Sequence, residues 1–244
     1  MGTNVLEVRN VTKSFGKLLA VNRLSFEVKK GSILGIAGPN GAGKTTLFNV
    51  ISGIYPCEGS IMFADKDISG QKPYTISRLG IARTFQFPAV FSSLSVYKNI
   101  EIGAYYGGGY TKADIDEKVC SVMDYLDIRD RADLIIEDLP LYDKKMVMLG
   151  AALATDPEII MLDEPLGGLS PREIQMSSDI FKKINGDLGV TLIIIEHLMK
   201  YLIALSDEML ILNEGQKIYF GSPEEVVNDD YVIKVYLGED HEHA

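Results

Sequence analysis

The chain of 244 residues carries 24 Lys and Arg against 34 Asp and Glu, a net charge of −10, and an acidic surface of that size repels a phosphate backbone, which argues against nucleic acid as the main partner. It is long enough to bury a real core in one large domain with a modest insertion, and 46% hydrophobic with 24% charged residues is the composition of a folded protein, which excludes a disordered chain. Two cysteines, Cys57 and Cys120, with no CxxC partner and no nearby histidine cluster, suggest neither a disulfide framework nor a zinc site and leave a reducing compartment as the expected setting.

In chain order, residues 6–8 and 24–28 are short runs with partial alternation and turn-like separators, and with 61–63 they predict a small antiparallel sheet. Residues 33–37 are apolar without alternation, the pattern of a strand buried on both faces. Directly after it stand Gly38, Pro39, Asn40, Gly41, Ala42, Gly43, Lys44, Thr45 and Thr46, and a helical pattern runs over 45–54. The spacing GxxxxGK[ST] between a buried strand and a helix is that of a phosphate-binding loop. Glycines let the backbone wrap close to a triphosphate and turn several N–H groups into one concavity. The helix start adds its positive end, Lys44 reaches the outer phosphates, and the Thr45 hydroxyl is placed for Mg²⁺. The expected ligand is a nucleoside triphosphate with magnesium.

A further apolar run, 81–85, ends at Gln86, which by itself means nothing. From about 90 to 141 tyrosines and glycines interrupt amphipathic stretches such as 114–126, predicting a helical insertion with a flexible turn at 107–109. Helical spacing returns over 144–155. The apolar strand 159–162 then ends in Asp163 and Glu164. Neighbouring side chains at a strand end diverge, so Asp163 can face a Mg²⁺ shell while Glu164 faces a terminal phosphate and an attacking water; capping of the next turn is the plainer alternative. A helix over 171–185 leads to the strand 191–195, which ends in Glu196 and His197. At the carboxyl edge of an α/β sheet, where ligands bind, His197 can hydrogen-bond a terminal phosphate and sense hydrolysis, although a lone histidine is often only a surface residue. A helix over 198–206 and a strand over 209–212 complete the alternation.

The pattern predicts an α/β protein: a P-loop NTPase core with a parallel sheet flanked by helices, an antiparallel β subdomain and an inserted helical subdomain. The expected division of the single domain 1–244 is a nucleotide-binding core from 1–89 and 156–225, a helical subdomain over 90–155, and a tail over 226–244 whose His241 and His243 belong to a frayed end. No apolar run approaches the ~18 to 20 residues that span a bilayer, so the chain is expected to be soluble by itself.

Taken together, GPNGAGKTT at 38–46, Thr84-Phe85-Gln86, IIMLDEP at 159–165 and IIIEH at 193–197 occur in the order and at about the spacing of the ATP-binding subunits of ABC transporters, a resemblance over nearly the whole chain. ARTFQ at 82–86 and VYLGED at 235–240 are similar to the branched-chain amino-acid uptake and lipopolysaccharide-export ATPases of that family. The resemblance implies that Phe15 stacks on adenine, that Gln86 touches Mg²⁺ and the attacking water and links the core to the helical insertion, and that His197 is the switch histidine. It also implies transmembrane permease subunits docked on a groove of that insertion, a second ATP-binding subunit, and a cytoplasmic place at the inner face of the cell membrane, held there by protein partners. ATP would close the dimer and hydrolysis reopen it, energising import of a small solute, with a branched-chain or similar amino acid the first expectation.

One motif departs. The family's Leu-Ser-Gly-Gly-Gln signature falls at Leu139, Pro140, Leu141, Tyr142 and Asp143. Pro140 has neither hydroxyl nor N–H, and Leu141 and Tyr142 obstruct the close backbone approach that glycines allow. Asp143 is expected to cap the helix 144–155, and Ser170 stands where many relatives carry Asp or Asn. Because sites in this family are shared between subunits, the expectation is a heterodimer whose other member has an intact signature, with a homodimer as the alternative. A regulatory, weakly hydrolysing ATP-binding protein is the second function class. A GTPase is disfavoured because no Asn-Lys-x-Asp motif occurs.

Overall fold

A computed structural model of the chain describes residues 3–107, 110–226 and 229. In chain order the elements are β1 (Asn4–Phe15), β2 (Leu18–Lys29), β3 (Ile33–Ala37), α1 (Lys44–Ile51), β4 (Glu58–Phe63), β5 (Lys66–Asp67), α2 (Pro73–Leu79), β6 (Ile81–Arg83), α3 (Val96–Gly107) and α4 (Lys112–Tyr125). They continue with α5 (Leu141–Leu153), β7 (Ile159–Asp163), α6 (Pro171–Leu188), β8 (Thr191–Ile195), α7 (Met199–Leu205), β9 (Glu208–Asn213), β10 (Gln216–Gly221) and α8 (Pro223–Val226). The described residues form two compact units, one drawn from 3–73 and from 191 onward, the other from 74–190. Of the turn expected at 107–109, Gly107 is instead the last residue of α3; Gly108 and Gly109, the likeness at 235–240 and the tail histidines lie outside the described residues.

In the first unit an antiparallel sheet has the order β2-β1-β4-β5. Its first two strands reach well beyond 6–8 and 24–28, because Gly16, at φ 61°, reverses the chain so tightly that Phe15 faces Leu18 and the polar residues go on pairing. Ala64 and Asp65 (φ 44° and 65°), and again Glu214 and Gly215 (φ 47° and 76°), make two-residue turns with both φ values positive, the twist that suits a hairpin. Every residue of β3 is buried; it runs parallel to β8 on one side and to β9 on the other, which is why its sequence does not alternate. A Cβ on Gly35 would collide with the side chains of Leu202, Ser206 and Met209, so α7 lies directly against the strand.

In the second unit β6 and β7 pair in parallel, Ile81 opposite Ile159. Helix α3 crosses α5 closely enough that a Cβ on Gly103 would strike the Ala151 backbone. Capping boxes start α4 at Thr111 with Asp114 and α6 at Ser170 with Glu173, and Pro171 takes the first turn of α6, where its missing N–H costs nothing.

Helix ends differ most from expectation. Helix α1 stops at Ile51, before 54, because Gly53 at φ 73° turns the chain away. Helix α5 begins at Leu141, ahead of 144, on Pro140. Helix α6 runs through Gly186 to Leu188 and is ended by left-handed Gly189. Among the described residues no helix is long and apolar enough to cross a membrane.

Candidate nucleotide site

Between β3 and α1 the backbone takes left-handed values at Gly38 (φ 154°), Gly41 (81°) and Gly43 (99°). A Cβ on Gly38 would run into the Leu212 carbonyl and one on Gly43 into the Ala20 carbonyl, so these two positions need glycine for space as well as for conformation. Lys44 is the first residue of α1 and is only 6% exposed. Its ammonium turns back over the loop and donates to the carbonyls of Gly38 at 2.6 Å and Pro39 at 3.0 Å. No side chain caps α1 and its first turn carries no acidic residue. The turn between β9 and β10 braces the loop, Gly215 donating its N–H to the Ala42 carbonyl at 3.1 Å.

His197 leaves the carboxyl end of β8, and since Ile36 of β3 is opposite Ile195 of β8, it emerges at the sheet edge that also carries the phosphate loop. Glu196 before it is buried, 2% exposed, while His197 is exposed. Phe15 lies at the far end of β1, 44% exposed, against Tyr55.

The second unit holds the carboxylates. Asp163 ends β7, buried, and pairs with the Arg83 guanidinium of neighbouring β6 at 2.8 Å. Glu164 follows in a left-handed conformation, φ 48°, unusual for a side chain with a Cβ and the kind of strain that functional sites store. Its carboxylate accepts from the Gln86 amide at 2.6 Å. Gln86 itself stands past the end of β6, exposed. The turn is held from below: the buried Lys145 ammonium of α5 donates to the carbonyls of Glu164 (3.2 Å), Pro165 (2.9 Å) and Gly167 (2.8 Å). Arg83 lies inside the ARTFQ stretch but has no role of its own in the sequence reading, and Lys145 lies in no quoted motif. The available signal was Lys145 at helical spacing with the apolar Met148 and Leu149, a cation on a face that should be buried.

At the departed signature, the first turn of α5 consists of Leu141, Tyr142 and Asp143, with Leu141 40% exposed. Asp143 does not cap the helix. Proline fits the N-cap here, at φ −59° and ψ 161°, so the helix starts three residues earlier than expected and Asp143 becomes its third residue, ion-paired with Arg131. Burial, and then the Asp143 charge beside it, push the Tyr142 hydroxyl up.

A family model described as ABC transporter matches residues 21–167. The chain belongs to the ABC transporter family. A second model, described as branched-chain amino acid ATP-binding cassette transporter, matches residues 216–242. The high-affinity branched-chain amino acid transport ATP-binding protein LivG of Salmonella typhimurium is 31% identical, covering 98% of this chain and 100% of LivG. The probable branched-chain amino acid transport ATP-binding protein LivG of Archaeoglobus fulgidus is 33% identical, covering 96% of this chain and 95% of its own length. The crystal structure of the ADP conformation of MJ1267, an ATP-binding cassette of an ABC transporter, superposes with a TM-score of 0.87 at 30% identity, covering 97% of this chain and 99% of that one. This ABC chain is therefore an ATP-binding subunit of the family, an ATPase, and it resembles the branched-chain amino-acid branch.

Proposed function

We propose that the chain energises import of a branched-chain or similar amino acid as one ATPase subunit of a membrane complex, peripheral on the inner face and attached through transmembrane permease subunits. The observation that carries this reading is that relatives named for branched-chain amino acid transport match the chain from end to end, 98% of it in one case. The test is ATP-driven uptake of leucine into vesicles holding this chain with its permease subunits; uptake unaffected by Glu164→Gln overturns the reading.

In this reading Gly38, Pro39, Asn40, Gly41, Ala42, Gly43, Lys44, Thr45 and Thr46 hold the phosphates of ATP, Phe15 its base, and Glu164 acts as general base toward water, with Gln86 and His197 sensing the outer phosphate. The donors fit magnesium. Thr45, Asp163 and Gln86 offer a hydroxyl, a carboxylate and an amide oxygen, all hard ligands, and among the described residues no group of three or more His, Cys, Asp or Glu could hold a metal alone. Arg83 pairs with the Asp163 carboxylate at 2.8 Å and fixes its orientation. Bound Mg²⁺ would neutralise charge developing on the phosphates. The helical insertion over 90–155 would carry the permease-facing surface, and ATP-driven closure of a dimer would transmit the work.

The first turn of α5 favours a heterodimer. Pro140 provides neither the serine hydroxyl nor an N–H, and Leu141 and Tyr142 obstruct the close backbone approach that glycines would allow a phosphate held by a second subunit. The site built on this chain's own Lys44 and Glu164 would then be the competent one, completed by a partner with an intact signature. Mixing with that partner should raise ATP hydrolysis well above this chain alone; strong turnover by the isolated chain, lost in Glu164→Gln, overturns the asymmetry. Failure to co-purify with hydrophobic subunits would favour the regulatory alternative.

A further inference from the structure

Three side chains that the phosphate chemistry does not use meet in the first unit: Lys13 and Phe15 from the end of β1, and Tyr55 from beyond α1. The Phe15 and Tyr55 rings stand edge to face, centroids 5.3 Å apart and planes at 81°. The Lys13 ammonium lies 5.1 Å from the centroid of Phe15 and 5.5 Å from that of Tyr55, so one cation serves both rings. Its charge also reaches Cys57, where it opposes the burial that pushes the thiol up.

The backbone explains how Tyr55 arrives there. Gly53 turns the chain at φ 73°, and the amides of Ile54 and Tyr55 both donate to the Asn49 carbonyl, at 2.8 and 3.1 Å. Helix α1 therefore carries the phosphate-loop lysine as its first residue, and the turn that ends it delivers the ring lying against Phe15. An exposed phenylalanine beside a glycine turn would otherwise sample several rotamers, and a ligand stacking on it would have to freeze them. Phe15 stays 44% exposed while the half-buried Tyr55 is fixed from its own backbone.

We propose that Tyr55 is a positioning residue for base recognition, holding the Phe15 ring, with Lys13 shared between them, in the orientation that stacks on the adenine of ATP. The inference rests on the reading of Phe15 as the base platform. Tyr55 acts through Phe15 and not on the phosphates, so its loss weakens what depends on the base and spares what depends on the triphosphate.

The test compares binding of ATP with binding of inorganic tripolyphosphate by calorimetry, on the full chain and on Tyr55→Leu, Tyr55→Phe and Phe15→Leu. Tyr55→Leu is expected to weaken ATP about three- to tenfold, the range of a lost aromatic pair, to leave tripolyphosphate unchanged, and to raise KM for ATP without lowering turnover at saturation. Tyr55→Phe, which keeps the ring, should restore ATP affinity. Equal weakening of both ligands by Tyr55→Leu means a disturbance passed along α1 and overturns the proposal. No effect of Tyr55→Leu while Phe15→Leu weakens ATP overturns it too but leaves Phe15 as the platform. No change in the ATP to tripolyphosphate ratio in Phe15→Leu removes the platform, and the inference with it.

Discussion

The Gln86 amide donates to the Glu164 carboxylate at 2.6 Å, joining a residue beyond the end of β6 to the residue that follows β7. In the proposed function this carboxylate accepts a proton from water, and the Gln86 bond helps to orient it. Glu164→Gln keeps the shape and removes the base. It should bind ATP as tightly as the parent chain while hydrolysis falls about 10²- to 10⁴-fold, the usual worth of a general base. Single-turnover hydrolysis alongside equilibrium ATP binding checks this, and a parallel loss of binding would deny Glu164 the role.

The Lys44 ammonium donates to two carbonyls of its own loop, those of Gly38 and Pro39. Replacing it with methionine keeps the buried stem and deletes the charge. ATP affinity should drop about ten- to hundredfold, the equivalent of one charge-assisted hydrogen bond. The Gly38 and Pro39 carbonyls also lose the Lys44 donor, so the protein measured without nucleotide should melt at a lower temperature. Calorimetric binding and a thermal melt on the same variant separate the two effects.

What was legible in the sequence is what adjacency encodes. The phosphate loop is nine consecutive residues at 38–46, and the strands at 33–37 and 191–195 appear within the expected bounds because complete burial leaves an unbroken apolar run. The start of α5 was not legible, since proline reads as a break while its geometry also serves as a cap. Arg83, Lys145 and Tyr55 were missed for a common reason: each acts through a partner distant in sequence, Asp163, the Glu164 turn and Phe15 in turn. No local spacing marks such pairs.

Lys145 carries the next prediction. Its three bonds to the carbonyls of Glu164, Pro165 and Gly167 hold a turn whose first residue sits at a strained φ of 48°. Lys145→Met leaves those carbonyls without that donor and should cost about 2 to 4 kcal/mol of stability. Because the freed turn no longer aims Glu164, turnover should fall while KM for ATP changes little, with arginine in place of lysine recovering part of it. Urea unfolding gives the first number and steady-state hydrolysis the second; an unaltered turnover would confine Lys145 to a structural part.

The start of α6 predicts a pH dependence. The Ser170 hydroxyl and backbone N–H both donate to the Glu173 carboxylate, at 2.6 and 2.8 Å, and hold its pKa below the usual 4.5. A carboxyl lowered on folding adds stability that is complete above its unfolded value and is lost as pH falls through the folded one. The parent chain should therefore be more stable than Glu173→Gln at neutral pH, and the gap between their urea midpoints should close on acidification below about 4.5. A gap that stays constant from neutral to acid pH would mean that the amide caps the helix as the carboxylate does, and that the charge itself contributes nothing.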